Sequence, residues 1–347
     1  MLEIFAALGA RPSGARALRL RQSPHFRDGA FRNTTHTRTL LPREAVAALR
    51  RFLTQRHQRR LSGVIPVDRP PTLGAASDGL HLTWYGHATV LIELAGRRVL
   101  LDPLWSDRGS PAPGIGPKRL HPMPVALTDL PRLDAIVISH DHYDHLDMPT
   151  IRALDRTQDA MFLVPLGVGA HLERWGVSGA RIVELDWDES AVVAGLRFTA
   201  TESRHFSGRT LVGSNDTLWS SWVIADGQRR VFYTGDSGYF DGYTDIGERH
   251  GPFDVTLMQI GAYDNAWPDI HLLPEQAVEA HVRLRGSLLI PVHWGTFHLA
   301  PHPWAEPVER LWAEAKARDV VIAVPRPGER VDVDAPPEVD PWWQALA

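Results

Sequence analysis

The run Ser139-His140-Asp141-His142-Tyr143-Asp144-His145-Leu146-Asp147 gathers three imidazoles and three carboxylates into one short segment. Neutral imidazole and carboxylate are the nitrogen and oxygen donors that catalytic zinc accepts while an open position holds water. A solvated turn is the plain alternative, but turns are built from Gly, Asn and Pro and do not stack imidazoles beside acids. Four more candidate donors follow, each after an apolar segment and in a turn-like setting: His205 in Thr201-Glu-Ser-Arg-His205-Phe-Ser-Gly208, Asp236 in Thr234-Gly-Asp236-Ser-Gly238, His271 in Asp269-Ile-His271-Leu-Leu-Pro274, and His293 in Pro291-Val-His293-Trp-Gly295. Singly, each is equally well a structural histidine or a capping aspartate. Together at strand ends they read as one site, because loops on one edge of a layered sheet converge. His140, His142, Asp144, His145, His205, Asp236 and His293 suffice for two metal ions. The chain has no cysteine, so any metal must sit on nitrogen and oxygen, and disulfides and a thiol nucleophile are excluded.

The elements that must position these residues are legible as alternating patterns. Strand signals lie at 82–85, 88–94 and 98–102, a β-meander, and at 134–139, a continuously apolar run that ends in the histidine cluster. Further strands are expected at 161–164, 181–185, 192–201, 219–225, 230–234, 254–260, 288–292 and 320–324. Helices are expected at 148–155, 169–175, 274–284 and 303–318. Strands and helices interleave to the end, which predicts sheets covered by helices, a layered αββα type of α/β architecture. Residues 1–78 read differently: an Arg-, Pro- and Gly-rich, otherwise extended arm packed on the core, with one helical segment at 42–56 carrying Val46, Leu49, Phe52 and Leu53 on one face. Pro66, Pro70, Pro71, Gly74 and Gly79 mark a linker to a catalytic domain over 79–347.

With 347 residues, 44% apolar and 22% charged, the chain has the material for a folded globular protein. Its net charge of −4 gives no basic excess to attract a phosphate polymer, so nucleic acid is not an expected partner. No apolar run approaches the roughly 20 residues that cross a bilayer, and residues 1–10 lack the basic start of a secretory signal, so a cytoplasmic protein is expected.

The His-x-His-x-Asp-His run, then a lone His, Asp236 within Thr-Gly-Asp-Ser-Gly and a final His, resembles the metallo-β-lactamase fold of binuclear metallohydrolases. A closer resemblance is to N-acyl-phosphatidylethanolamine-hydrolysing phospholipase D and its bacterial relatives. It rests on Trp84-Tyr-Gly-His-Ala-Thr-Val-Leu-Ile-Glu93, Asp102-Pro-Leu104, Gly116-Pro-Lys-Arg119, Val164-Pro-Leu-Gly167, Glu184-Leu-Asp-Trp187, Gly251-Pro-Phe-Asp254, Ile260-Gly-Ala-Tyr263 and His293-Trp-Gly-Thr296, and in the arm on Phe31-Arg-Asn33. Arg204-His205-Phe206 departs from the Gln-His-Trp of that family, as does the segment before His271, and both border the substrate.

This resemblance implies a four-layer αββα sandwich with an N-terminal arm, and two zinc ions, iron or manganese being the alternatives. It implies one metal on His140, His142 and His205, the other on Asp144, His145 and His293, and Asp236 bridging. A hydroxide between the metals would attack a phosphodiester, a phospholipid or a smaller relative. His271 and Tyr143 would stand on the substrate side, His271 assisting the leaving group, and Asp144 and Asp236 would be essential to catalysis. A lactonase or other carboxyl ester hydrolase uses the same metal pair, and a nuclease or a non-catalytic binding module are further alternatives. A peripheral membrane contact and a homodimer are compatible with this reading. His87 is expected as a packing or supporting residue and not a ligand; His25, His36, His57, His81, His121, His171, His250, His281, His298 and His302 are expected as surface or core histidines. Most of Trp84, Trp105, Trp187, Trp219, Trp222, Trp267 and Trp294 are expected in the core, the alternative being the wall of an acyl channel.

Overall fold

The computed structural model describes residues 2–55, 60–69, 74, 76–112, 114–209 and 215–346. Pro70 and Pro71 of the expected linker, and His57, lie outside the described residues.

From Leu80 onward the apolar runs form two sheets. β3 (Leu80–Gly86), β4 (Thr89–Leu94) and β5 (Arg97–Leu101) make an antiparallel meander, and β6 (Ala135–Val137), β7 (Met161–Pro165) and β8 (Ile182–Leu185) continue it in parallel. A late strand, β15 (Arg330–Asp332), pairs with β3 and completes a seven-stranded sheet. The second sheet repeats the plan with six strands. β9 (Ser190–Val193), β10 (Leu196–Thr201), β11 (Ser221–Ala225) and β12 (Arg230–Tyr233) are antiparallel, while β13 (Phe253–Gln259) and β14 (Gly286–Val292) run parallel to β12.

Alternation along the strands sorts side chains into two layers of core. Val90, Ile92, Val99, Leu101, Ala135 and Val137 face the second sheet, where Phe198, Ile224, Val231, Leu257 and Ile290 meet them. Their neighbours Leu91, Leu100, Ile136, Phe162 and Val164 point the other way, against α4 (Met148–Thr157) and α5 (Gly169–Arg174). Outside the second sheet lie α6 (Gly242–His250), α7 (Pro274–Arg283) and α8 (Glu306–Ala317). The layers are helix, sheet, sheet, helix, as the interleaved pattern predicts.

Five strands end at the residues singled out above: β6 leads into 140–145, β10 into His205, β12 into Asp236, β13 toward His271 and β14 into His293. Beneath this edge the sheets are stitched together. Trp222 donates Nε1–H to Ile138 O at 3.0 Å, Ser220 N–H bonds Ser139 O at 2.9 Å, and the Tyr233 hydroxyl donates to Asp102. Of the seven tryptophans singled out above, five, Trp84, Trp187, Trp219, Trp222 and Trp294, are buried. Trp294 stacks on Trp84, with ring centres 5.7 Å apart, and is covered by Trp342 at 5.5 Å and Trp343 at 6.2 Å.

Several elements differ from expectation. Residues 320–324 form no strand; Ile322 makes only an isolated bridge to Leu289. The single strand expected at 192–201 is a hairpin, because Ala194 and Gly195 both take positive φ and turn the chain between β9 and β10. The arm is not mainly extended. It carries α1 (Leu2–Ala7), α2 (Gly14–Gln22), a small hairpin of β1 (Phe26–Arg27) and β2 (Ala30–Phe31), and α3 (Pro42–Thr54). In α3, Val46, Leu49 and Leu53 are exposed; Ala48 is the buried residue, and Arg51 pairs with Asp264 at 2.8 Å.

Replacing Trp222 with Phe keeps most of the packing but leaves Ile138 O without this donor. An unsatisfied buried carbonyl costs about 1–3 kcal/mol. Urea unfolding of Trp222→Phe should show a loss of that size.

Candidate metal centre

The chain enters the cluster through His140, directly after β6, and leaves it at Asp147, whose carboxylate accepts Thr150 N–H at 3.3 Å and caps α4. Met148-Pro149 then starts the helix. The loop is thus pinned between a sheet and a helix start. The same logic sets His271, placed just before α7 with Pro274 in its first turn.

Asp236 is the hub of the cluster. The residue is only 4% exposed, and Oδ2 lies 3.2 Å from His271 Nε2, 3.2 Å from His293 Nε2, 3.3 Å from His145 Nε2, 3.8 Å from His205 Nε2 and 4.0 Å from His140 Nε2. On one side, His142 Nδ1 lies 2.8 Å from His140 Nε2 and 3.2 Å from His205 Nε2. On the other, Asp144 Oδ2 lies 3.4 Å from His293 Nε2 and 3.6 Å from His145 Nε2. All seven residues read as ligands therefore meet in one place, His140, His142 and His205 forming one triplet and Asp144, His145 and His293 lying together.

Opposing charges decide who holds protons here. Burial alone would raise the Asp236 carboxyl, but the charge on His145 and His293 outweighs it and holds Asp236 well below the usual carboxylate range. Asp144 is held down in the same way by His145, with bonds from His293 and His87. Burial likewise opposes charge on the histidines, yet beside these two carboxylates His293 is pushed up to about 9 and His145 well above its ordinary value. His140, chiefly through burial and then through His145, and His205, through burial, are held well below theirs; burial also lowers His142. Two carboxylates are balanced by two imidazolium ions, and three neutral imidazoles crowd their lone pairs together.

The donor set fits transition-metal ions. Among the described residues, His145 Nε2, His293 Nε2 and Asp236 Oδ1 are buried without a hydrogen-bond partner. Their neighbours hold the rings by the far nitrogen: His145 Nδ1 meets Asp102 Oδ2 at 2.7 Å, His205 Nδ1 meets Ile270 O at 2.9 Å, and His140 Nδ1 meets Ser139 Oγ at 2.9 Å. This is the outer support that metal-binding imidazoles ordinarily have.

His271 touches Asp236 and lines a cleft of about 470 Å³ with Arg51, Tyr263, His302 and Arg310, while its Nδ1 is buried without a partner. It also forms a group with His205 and Asp236 tight enough to hold a cation. Tyr143 is turned elsewhere. Its hydroxyl donates to Arg209 O at 2.5 Å, and it lines a separate cleft of about 410 Å³ with Ser106, Met148 and Arg209. His87, expected as a packing or supporting residue and not a ligand, bonds Asp144 Oδ2 through Nε2 at 2.9 Å, and its carbonyl accepts His293 N–H. It is also close enough to Asp144, His145 and His293 to share an ion with them. Sequence reasoning gave no role to Asp102, which accepts from Ser139, Tyr233 and His145. An aspartate ending a strand before Pro103 was the available signal.

Comparison with known proteins agrees with this geometry. A beta-lactamase superfamily domain matches residues 97–294, more than half of the chain, a span that includes all seven clustered residues. An uncharacterized protein of Mycobacterium tuberculosis is 52% identical over 98% of this chain and 92% of its own length. The N-acyl-phosphatidylethanolamine-hydrolyzing phospholipase D 1 of Caenorhabditis elegans is 37% identical over 70% of this chain and 72% of its own. Among solved structures, a metallo hydrolase of the archaeon Ignicoccus hospitalis shares the fold, with a TM-score of 0.55 and 24% identity over 73% of this chain and 97% of that one. Sheet order, converging side chains and matched domain together place this chain in the beta-lactamase superfamily, among its metal-dependent hydrolases.

Proposed function

We propose that this protein is a binuclear, zinc-dependent phosphodiesterase of the phospholipase D type. The observation that carries the metal part is the convergence of seven candidate ligands, Asp236 at their centre, with buried ligand atoms that find no hydrogen-bond partner among the described residues. The phosphodiester part rests on the Caenorhabditis elegans relative and on the motif likeness outside the cluster.

His140, His142 and His205 would hold one ion, Asp144, His145 and His293 the other, and Asp236 would belong to both. Two such ions supply the acidity that makes water a nucleophile at neutral pH and the positive charge that draws phosphoryl oxygens. The chain's own residues do the rest. Asp102, Ile270 O and Ser139 fix the imidazoles by their far nitrogens, so that the inward nitrogens are aimed before anything binds. His271, between Asp236 and the open cleft, is positioned to bind the substrate and to hold a proton at Nε2 for the departing alkoxide. The substrate is a phospholipid or a smaller phosphodiester.

Purified protein should contain close to two transition-metal ions per chain by elemental analysis, and should cleave a bis-aryl phosphate faster than a lactone of similar size. Efficient lactone turnover without phosphodiester cleavage would reverse the substrate assignment in favour of a carboxyl ester hydrolase.

Asp236→Asn should lose metal and most activity while the circular dichroism of the fold persists, because an amide lacks the charge that holds two cations close. His271→Ala should keep both metals and lose about 10²–10⁴-fold in turnover. Shedding a metal would instead make His271 a ligand.

Protons compete with metal at this site. The His293 charge is favoured by folding, since its value near 9 exceeds the ordinary 6.5; the stability it lends is complete below about pH 6.5 and disappears as pH rises through 9. Metal-free protein should therefore melt at progressively lower temperature from pH 7 to 9. Metal affinity, read by chelator competition, should climb over the same window, with protons released on binding.

A further inference from the structure

The segment at residues 6–10 lies far in sequence from the histidine-bearing loop, yet its backbone is bonded to the residues that grip that loop from outside. Ala7 O accepts from Arg209 Nε at 3.0 Å and Nη2 at 2.8 Å. The remaining end of the same guanidinium, Nη1, donates to Asp141 O at 2.6 Å and Leu146 O at 2.9 Å, so one buried arginine joins the segment to both ends of the loop. Its face lies over the Tyr143 ring at 4.1 Å. Ala6 O accepts Trp175 Nε1–H at 2.7 Å, and the Trp175 ring also packs on the Arg209 guanidinium at 5.0 Å.

A second link runs through His171. Ala10 N–H donates to His171 Nδ1 at 3.0 Å, which requires the ring proton on Nε2, and Nε2 faces Asp141 Oδ2 at 3.3 Å. Asp141 also accepts from Gly208 N–H at 2.8 Å and Thr217 Oγ1 at 3.0 Å. It stands between His140 and His142 but, among the described residues, belongs to none of the groups that could hold a metal. Its carboxylate is used to fix the backbone between two candidate ligands. Gly9 makes the approach: it sits at φ 77°, and a Cβ there would lie 2.0 Å from His171 Nδ1.

We propose that residues 6–10 are a strap that positions the histidine-bearing loop, through Arg209 on one side and the His171–Asp141 pair on the other. The consequence for metal rests on the binuclear reading above; the mechanical link does not. Arg209, His171 and Asp141 are positioning residues, acting on His140, His142 and Asp144 through the backbone that carries them. Outer partners of this kind typically change metal affinity about 10–100-fold when lost.

The test uses the full chain with Gly9→Val, His171→Ala and His171→Gln, the last retaining an acceptor for Ala10 N–H and a donor for Asp141. With cobalt(II) as probe, Gly9→Val and His171→Ala should release metal to a chelator about 10–100-fold faster and shift the visible absorption bands, while His171→Gln returns toward wild type. In metal-free protein, hydrogen exchange should speed at the amides of 140–146 in the same two variants and not across the central strands. Unchanged exchange in both would overturn the strap. Faster exchange with cobalt release identical to wild type would confine the strap to the metal-free loop and overturn its effect on the site. If wild type takes up no cobalt, the metal reading fails, and the exchange result alone decides the strap.

Discussion

A carboxylate buried among histidines is the constraint around which this protein is organised. Taking Asp236 out of water is unfavourable unless positive charge lies beside it; His145 and His293 supply that charge, and imidazoles on four other segments, those of 140–145, 205, 271 and 293, close around it. Those segments can reach it only if five strands end at one edge and two sheets stack with their edges level. Close approach is then forced on the backbone. Gly235 precedes the carboxylate because a Cβ there would lie 2.6 Å from Ser139 Cβ, and Gly261 faces His293 O, where a Cβ would come to 2.2 Å. His293 itself is held at φ 62°.

How much of this was legible follows from how local each signal is. The run 140–147 declares itself, since its donors are contiguous. His205, Asp236 and His293 are ambiguous one at a time, and only the regular recurrence of an apolar strand before each makes them a set. Asp102 and the Asp141–His171 pair leave no such trace, because their meaning lies in partners remote in the chain. The same holds for His87, whose supporting role came from motif likeness and not from spacing. The short helices α1 and α2, of six and nine residues, span too few turns to show a period, and in α3 a clear period is present but its apolar stripe is not the side the helix buries. The apolar run at 320–324 looks like a strand in isolation; here it makes a single bridge at Ile322.

The near-absence of lysine has a structural counterpart. Arg209 bonds three backbone carbonyls, Arg181 those of Asp155, Gln158 and Ala160, and Arg204 those of His36 and Tyr239. A flat five-donor guanidinium can span several carbonyls at once, whereas an ammonium is a point charge. Arginine serves this fold as a clip for loops.

The tryptophan stack behind His293 has a consequence for how the protein is made. Trp294 is seated against Trp84 from one side and covered by Trp342 and Trp343 from the other, while Trp343 is also bonded to Glu309 of α8. Synthesis runs from the N-terminus, so every donor of the site has left the ribosome before the residues that cover the back of the last one exist. Every strand of both sheets except β15 precedes His293 in the chain, but the seat of His293 closes only once Trp342 and Trp343 are in place. A nascent chain paused short of that point would hold all its donors and lack the wall behind one of them.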